Sequence, residues 1–203
     1  MTTQSAGRLD RLTLPKPASK STMSAAETIA ARRSCREVRP DPLTDEQISL
    51  LCWAGQGVTD RREGLRTAPS AGALFPITLL LADARGLFQY DPARHALIRL
   101  SDHDVRKDLQ HIALDQSCVG DAPLCMIITF EHARLARKYG NRADRYGLIE
   151  AGHIAQNILL QATAMGLAGV PVGAFDEDDA RTLLDLRAQV EPLYLLPIGT
   201  PVH

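Results

Sequence analysis

Arg32-Arg33-Ser34-Cys35-Arg36 packs three guanidinium groups and a hydroxyl into five residues. Guanidinium forks match phosphate oxygens in geometry, and a serine hydroxyl adds a donor. The run falls at an expected helix end, where the dipole does not favour anions, so side chains would have to do the binding. The same dipole suits a plain basic helix end. A second run, Pro69-Ser70-Ala71-Gly72-Ala73-Leu74-Phe75-Pro76, is made largely of small residues. Small residues let backbone approach a flat ligand, with amides and carbonyls free to bond its polar edge. The bland alternative is a loop entering a strand. A third run, Gly166 to Phe175, is glycine-rich but is not the G-x-G-x-x-G dinucleotide pattern, because it leaves a helix instead of opening one.

Lys138 and Tyr139 stand side by side just ahead of a long helical pattern. Such a pair can move protons if burial brings its groups toward neutrality; an exposed pair in a turn is the commoner arrangement. Glu150 and His153 lie one turn apart, with Asn157 a turn further on. A second Glu-x-x-His, needed for a di-metal centre in a bundle, is missing, so no metal site is expected and these groups read as bonded within a tight interface. No G-x-S-x-G nucleophile motif and no phosphate-binding Walker motif occurs.

The elements that must position these groups follow from caps and apolar spacing. Ser24-x-x-Glu27 and Thr44-x-x-Gln47 are capping boxes. They predict a helix over about 25–34 and another ending by Gly55 to Gly57, with Leu43 and Ile48 placed as a hydrophobic staple. Residues 58–69 are polar and read as a loop. Ile77 to Ala82 and Leu124 to Phe130 are apolar runs that read as buried strands. Leu87 to Tyr90 and Ala96 to Leu100 read as a hairpin across Asp91-Pro92-Ala93-Arg94. Helices are expected over Ser101 to Leu114, over about Asp144 to Met165, and from the Asp176 cap to about Arg187. Pro192 to Ile198 reads as the last strand. This order lacks strict βα alternation and points to an α+β fold. Residues 1–22 read as an extended N-terminal arm, and 23–203 as one domain.

Composition excludes several functions. The 203 residues carry 23 Lys and Arg against 24 Asp and Glu, a net charge of −1, which argues against a nucleic-acid binder. Aromatics make up 4%, too few for a base-stacking surface. No apolar run approaches membrane-spanning length, and no signal-peptide pattern opens the chain. Cys35, Cys52, Cys118 and Cys125 are widely spaced and form no C-x-x-C, as expected of reduced thiols in a cytoplasmic protein.

Taken in order, RRSCR, LCWAGQGVTD, RTAPSAGALFP, KYGNRADRYGLIEAGHIAQNILLQATAMGL and VGAF resemble the nitroreductase-like flavoproteins, and more closely their SagB-type, azoline-dehydrogenase branch. The resemblance covers about residues 14–201. It implies a central, mostly antiparallel sheet flanked by helices, in an intertwined homodimer with FMN at the subunit interface. It implies that Arg32, Arg33, Ser34 and Arg36 hold the FMN phosphate and ribityl chain. Pro69, Ser70, Ala71, Gly72 and Ala73 would line the isoalloxazine, contributed by the partner subunit, and Val172, Gly173 and Ala174 would approach it from the other side near N5. Lys138 and Tyr139 match the branch's catalytic pair. The substrate would be a small molecule or a peptide-like ring, with NAD(P)H as a candidate electron donor.

The sequence also departs from the family pattern. No Lys or Arg stands in Gly199-Thr200-Pro201-Val202-His203, where many relatives place a basic phosphate ligand. Ala73 and Gly173 stand where other members carry flavin-contacting Asn and Glu side chains, so backbone must substitute. Two alternatives remain open from sequence. One is an NAD(P)H-dependent nitro or quinone reductase; the other is a flavin-binding or scaffold subunit without turnover.

Overall fold

The computed structural model describes residues 10–17 and 22–202. Its centre is one antiparallel sheet. In chain order the strands are β1 (Arg11–Thr13), β2 (Val38–Arg39), β3 (Val58–Asp60), β4 (Leu65–Arg66), β5 (Ile77–Asp83), β6 (Gly86–Asp91), β7 (Ala96–Ser101), β8 (Leu124–Glu131), β9 (Ala168–Gly169) and β10 (Val190–Pro201). The sheet runs β1-β7-β6-β5-β8-β10-β2, with β9 beside β10 and β3-β4 as a separate hairpin. The helices are α1 (Ala25–Ala31), α2 (Asp45–Gln56), α3 (Arg106–Ile112), α4 (Ser117–Asp121), α5 (His132–Tyr139), α6 (Ala143–Ala164) and α7 (Glu177–Leu183). This is the expected α+β class.

Strand periodicity divides the core in two. Along β8, Leu124, Met126, Ile128 and Phe130 face one cluster, which also holds Ile154 and Ile158 of α6. Cys125 and Ile127 face the other, with Leu109, Val119, Val172 and Leu184. Successive strand residues point to opposite faces, so an unbroken apolar run is what a strand covered on both sides requires. Helix α6 lies close on the first face: a Cβ added at Gly147 would run into the Phe130 ring.

Both capping boxes form. Glu27 N–H donates to Ser24 Oγ (3.3 Å) and Ser24 N–H to Glu27 Oε2 (2.7 Å); Thr44 and Gln47 exchange the same pair at 3.3 and 2.9 Å. The structure departs from expectation elsewhere. Residues 58–69 are not a plain loop, because Asp60 Oδ1 accepts the amides of Arg62 and Glu63 (2.8 and 3.1 Å) and turns β3 back onto β4. The helix expected from Ser101 starts at Arg106, since Ser101 still pairs in β7 with Leu87. Helix α1 ends at Ala31 and α7 at Leu183, the latter near Asp185 with φ of 49°. The N-terminal segment is extended over Arg11–Thr13 yet joins the sheet against β7, and Leu14 is buried in the core. His95 anchors that segment, its ring bonded to the Pro15 carbonyl (3.0 Å), Tyr90 (2.8 Å) and Ser49 (2.7 Å).

Candidate active site

The sequence-predicted residues gather into two groups. The first sits where β9 meets the segment after α1. Arg32 caps α1, and Arg33 folds back to donate to the carbonyls of Ala30 (3.0 Å) and Arg32 (2.7 Å). Arg33 thus satisfies the orphan carbonyls of the helix end, while Arg32 and Arg36 make no ion pair among the described residues. Ser34 bridges Gly169 in parallel, and Cys35 N–H donates to the Gly169 carbonyl at 3.1 Å. The arginine run and the late glycine run, far apart in sequence, are therefore neighbours.

From Gly169 the chain continues to Val172, which exchanges both backbone bonds with Leu195 (2.8 and 3.0 Å). Gly173 and Ala174 then turn outward and are exposed. Gln116 Nε2 holds the Ala174 carbonyl at 3.0 Å. The amides of Gly173 and Ala174 bond to nothing among the described residues, which leaves two donors facing solvent.

The second group surrounds residues 69–76. Ser70 Oγ accepts the Phe75 amide at 2.9 Å and closes a tight loop, in which Gly72 has φ of 62° and Ala73 of 53°. Helix α5 is fastened to this loop. Arg134 donates to the Phe75 carbonyl at 2.8 Å while paired with Glu131. Lys138 follows four residues later on the same helix face. A Cβ placed on Gly72 would lie 2.7 Å from Tyr139 Oη and 2.8 Å from Lys138 Nζ. Both predicted proton-transfer groups thus converge on the exposed Gly72 backbone. Tyr139 is braced edge-on by Tyr146 at 5.0 Å.

Glu150 lies nearby, 2% exposed, and completes no hydrogen bond through either oxygen. Burial pushes its carboxyl up to about 7, against the opposing pull of the Ser70 hydroxyl and the Arg66 charge. Arg66 itself donates to Gln56 Oε1 at 2.6 Å and stacks 4.3 Å over Phe75. Of the three groups expected to be bonded within an interface, Asn157 Nδ2 donates to the Thr67 carbonyl at 3.4 Å, Glu150 is buried without a completed bond, and His153 is exposed. Sequence reasoning passed over Arg66; its signal was its position three residues before Pro69.

The two groups occupy different parts of the molecule. Ala71, Leu74 and Tyr139 pack against the α6 face of the sheet, whereas Val172 and Phe175 pack on the opposite face. Gly169 adjoins the Leu124 end of β8 through Ile198, and Pro76 accepts the Glu131 amide (2.9 Å) at its other end. Seven residue steps of about 3.3 Å separate those ends.

The residues fit a phosphorylated flat cofactor: two unpaired guanidiniums and a serine for a phosphate, and two free amides and an exposed small-residue loop for a ring. Two of the four thiols lie away from this set, in the core. Cys52 and Cys125 are buried and unreactive, burial pushing Cys125 up to about 12.

Known proteins agree with this fold. The model of the nitroreductase family matches residues 29–200. The nitroreductase homologue MJ1384 of Methanocaldococcus jannaschii is 38% identical over 183 residues, 87% of this chain and 91% of that protein. The NADPH-flavin oxidoreductase of Vibrio harveyi is 28% identical over 182 residues, 87% of this chain and 61% of that protein. A crystal structure of a nitroreductase homologue from Ralstonia eutropha superposes with a TM-score of 0.87 at 30% identity, covering 95% of this chain and 90% of that one. With fold, motif order and relatives in accord, the chain belongs to the nitroreductase family of oxidoreductases.

Proposed function

We propose that this protein is an FMN-dependent oxidoreductase of the SagB-type dehydrogenase kind, working as a homodimer with each site built from two chains. The observation that carries the reading is the meeting of Lys138 Nζ and Tyr139 Oη over the Gly72 backbone. FMN, when bound, supplies hydride acceptance or donation at N5. Arg32, Arg36 and Ser34 hold its phosphate and ribityl chain, with Arg33 partly committed to the helix end. Pro69 to Ala73 line one side of the ring, and Val172 to Ala174 approach the other. Lys138 or Tyr139 takes a proton from a small or peptide-like substrate lying over the loop. NAD(P)H is the donor in the reductive direction.

The placement of the arginine run by the Leu124 end of β8 and of the loop by its Glu131 end supports a shared site, because one chain holds its own loop and its own arginines at opposite ends of the strand. Helix α6 leaves Leu148 and Ile149 exposed at 57% and 48%, and α1 leaves Ile29 exposed at 61%. Ile29 borders a 340 Å³ cleft lined by Trp53, Leu160 and Ala164. Apolar exposure of this kind marks an interface, and a second copy is its proposed occupant. Free thiols and the absence, among the described residues, of any membrane-spanning helix support a cytoplasmic setting.

A second reading, NAD(P)H-driven reduction of nitro or quinone compounds, is favoured by the similarity to the Vibrio harveyi flavin oxidoreductase. Anaerobic titration separates the two. Bleaching of the flavin by an azoline substrate supports the dehydrogenase; bleaching by NADPH alone supports the reductase. A colourless protein that takes up no FMN contradicts both.

A further inference from the structure

All the buried side-chain polar atoms that lack a hydrogen bond among the described residues belong to Gln56, Thr67 and Glu150. Arg66 connects them. It donates to Gln56, adjoins Thr67 in the chain, and its charge acts on Glu150. Ser70, the first loop residue after Pro69, is the hydroxyl that acts on the same carboxyl. Buried polar groups are ordinarily satisfied, so a carboxyl left unbonded at 2% exposure under a ligand-facing loop calls for a role.

We propose that Glu150 is a positioning residue for the cofactor loop: its carboxyl proton decides whether the Ser70 hydroxyl donates inward to Glu150 or outward toward the cofactor. The inference rests on residues 69–73 being that loop. Ser70 Oγ already accepts the Phe75 amide, so the direction of its single O–H is the free variable. An ionised Glu150 accepts only, and draws that hydrogen inward. A neutral Glu150 carries its own O–H, donates it to the second Ser70 lone pair, and frees the serine hydrogen to turn to a ring acceptor.

The charges around this switch are few. Arg66 on β4 favours the ionised form and burial the neutral one. Arg66 in turn feels Arg134 of α5 and Tyr90 and Asp91 of β6. Lys138 and Tyr139 reach Gly72 from α5. Helix α2 contributes the neutral Gln56, and His153 of α6 is exposed. The balance puts Glu150 at about 7, where the proton is exchanged under ordinary conditions.

The test is FMN affinity, read by quenching of FMN fluorescence on binding to the full chain, from about pH 6 to about pH 8. The wild type is compared with Glu150→Gln, whose neutral amide can donate to Ser70 at every pH. The phosphate of FMN titrates alike in both, so the ratio of affinities isolates Glu150. The expected result is near-equal affinity at the acid end and wild-type binding about tenfold weaker at the alkaline end. Ser70→Ala should bind weakly with no such divergence. A wild-type to Glu150→Gln ratio that stays constant with pH overturns the proposal and leaves the flavin reading standing. No FMN binding by either protein at any pH overturns the flavin reading and this inference with it. Coincident melting profiles at acid pH show that Glu150→Gln is folded.

Discussion

Lys138 is exposed, while Tyr139 is half-buried and braced by Tyr146. Their proposed work is proton transfer, so Lys138→Ala should retain FMN with unchanged visible absorbance and lose on the order of 10²- to 10⁴-fold in turnover. Full turnover in that variant removes Lys138 from the chemistry. Glu150 makes a stability prediction of definite sign. Its folded-state value of about 7 lies above the ordinary 4.5, so the folded chain binds more protons than the unfolded one between those values. Stability contributed by this group is complete below the lower value and is lost as pH rises toward the upper one. Glu150→Gln removes that loss and should stabilise the protein above about pH 7 by on the order of 2–3 kcal/mol. Thermal melts across pH check this, and identical wild-type and variant profiles would contradict it. These residues were unequally legible. Lys138, Tyr139 and the arginine run stand out through the family resemblance, where type and spacing alone left a plain helix end and an exposed pair open. Glu150 does not, because a glutamate inside a 22-residue helix looks the same in sequence whether it meets solvent or the core.

At the scale of elements, capping and apolar runs dominate, and these are the features sequence expresses best. Thr44→Ala removes the acceptor for the Gln47 amide and should cost about 1 kcal/mol, measured by denaturant unfolding. Gly147→Ala is expected to destabilise despite alanine's better helix propensity, since the added methyl runs into Phe130 and lifts α6 from the sheet; a net cost of about 1–3 kcal/mol is typical of overpacking. An unchanged or raised melting temperature would show that Phe130 yields freely. The elements that escaped sequence reading are short and held by tertiary bonds. The β3-β4 hairpin depends on the Asp60 side chain, and α4 has five residues. Helix α5 is strongly polar and hidden behind Arg134, Arg137 and Lys138, and its place is fixed by Arg134 reaching Phe75 and by His132 meeting Asp144 at 3.1 Å. No local pattern encodes those partners.

At the scale of the whole molecule, a net charge of −1 and an ordinary core conceal a site that we propose two chains share. The phosphate-type donors lie by the Leu124 end of β8 and the small-residue loop with its Lys-Tyr pair by the Glu131 end, and the proposed dimer joins them through a second copy. Leu148→Asp with Ile149→Asp should dissociate the dimer and release FMN together, as seen by sedimentation and absorbance. A monomer that keeps its flavin would contradict the shared site. The most direct measurement is complementation between two inactive chains. One carries Arg32→Ala with Arg36→Ala, and the other carries Lys138→Ala. Both are co-produced with different tags and purified as the mixed dimer. A site drawing its arginines from one chain and Lys138 from the other leaves one intact centre per mixed dimer, and about half of wild-type turnover should return. Mixed dimers as inactive as either parent would show that each chain holds its whole site alone.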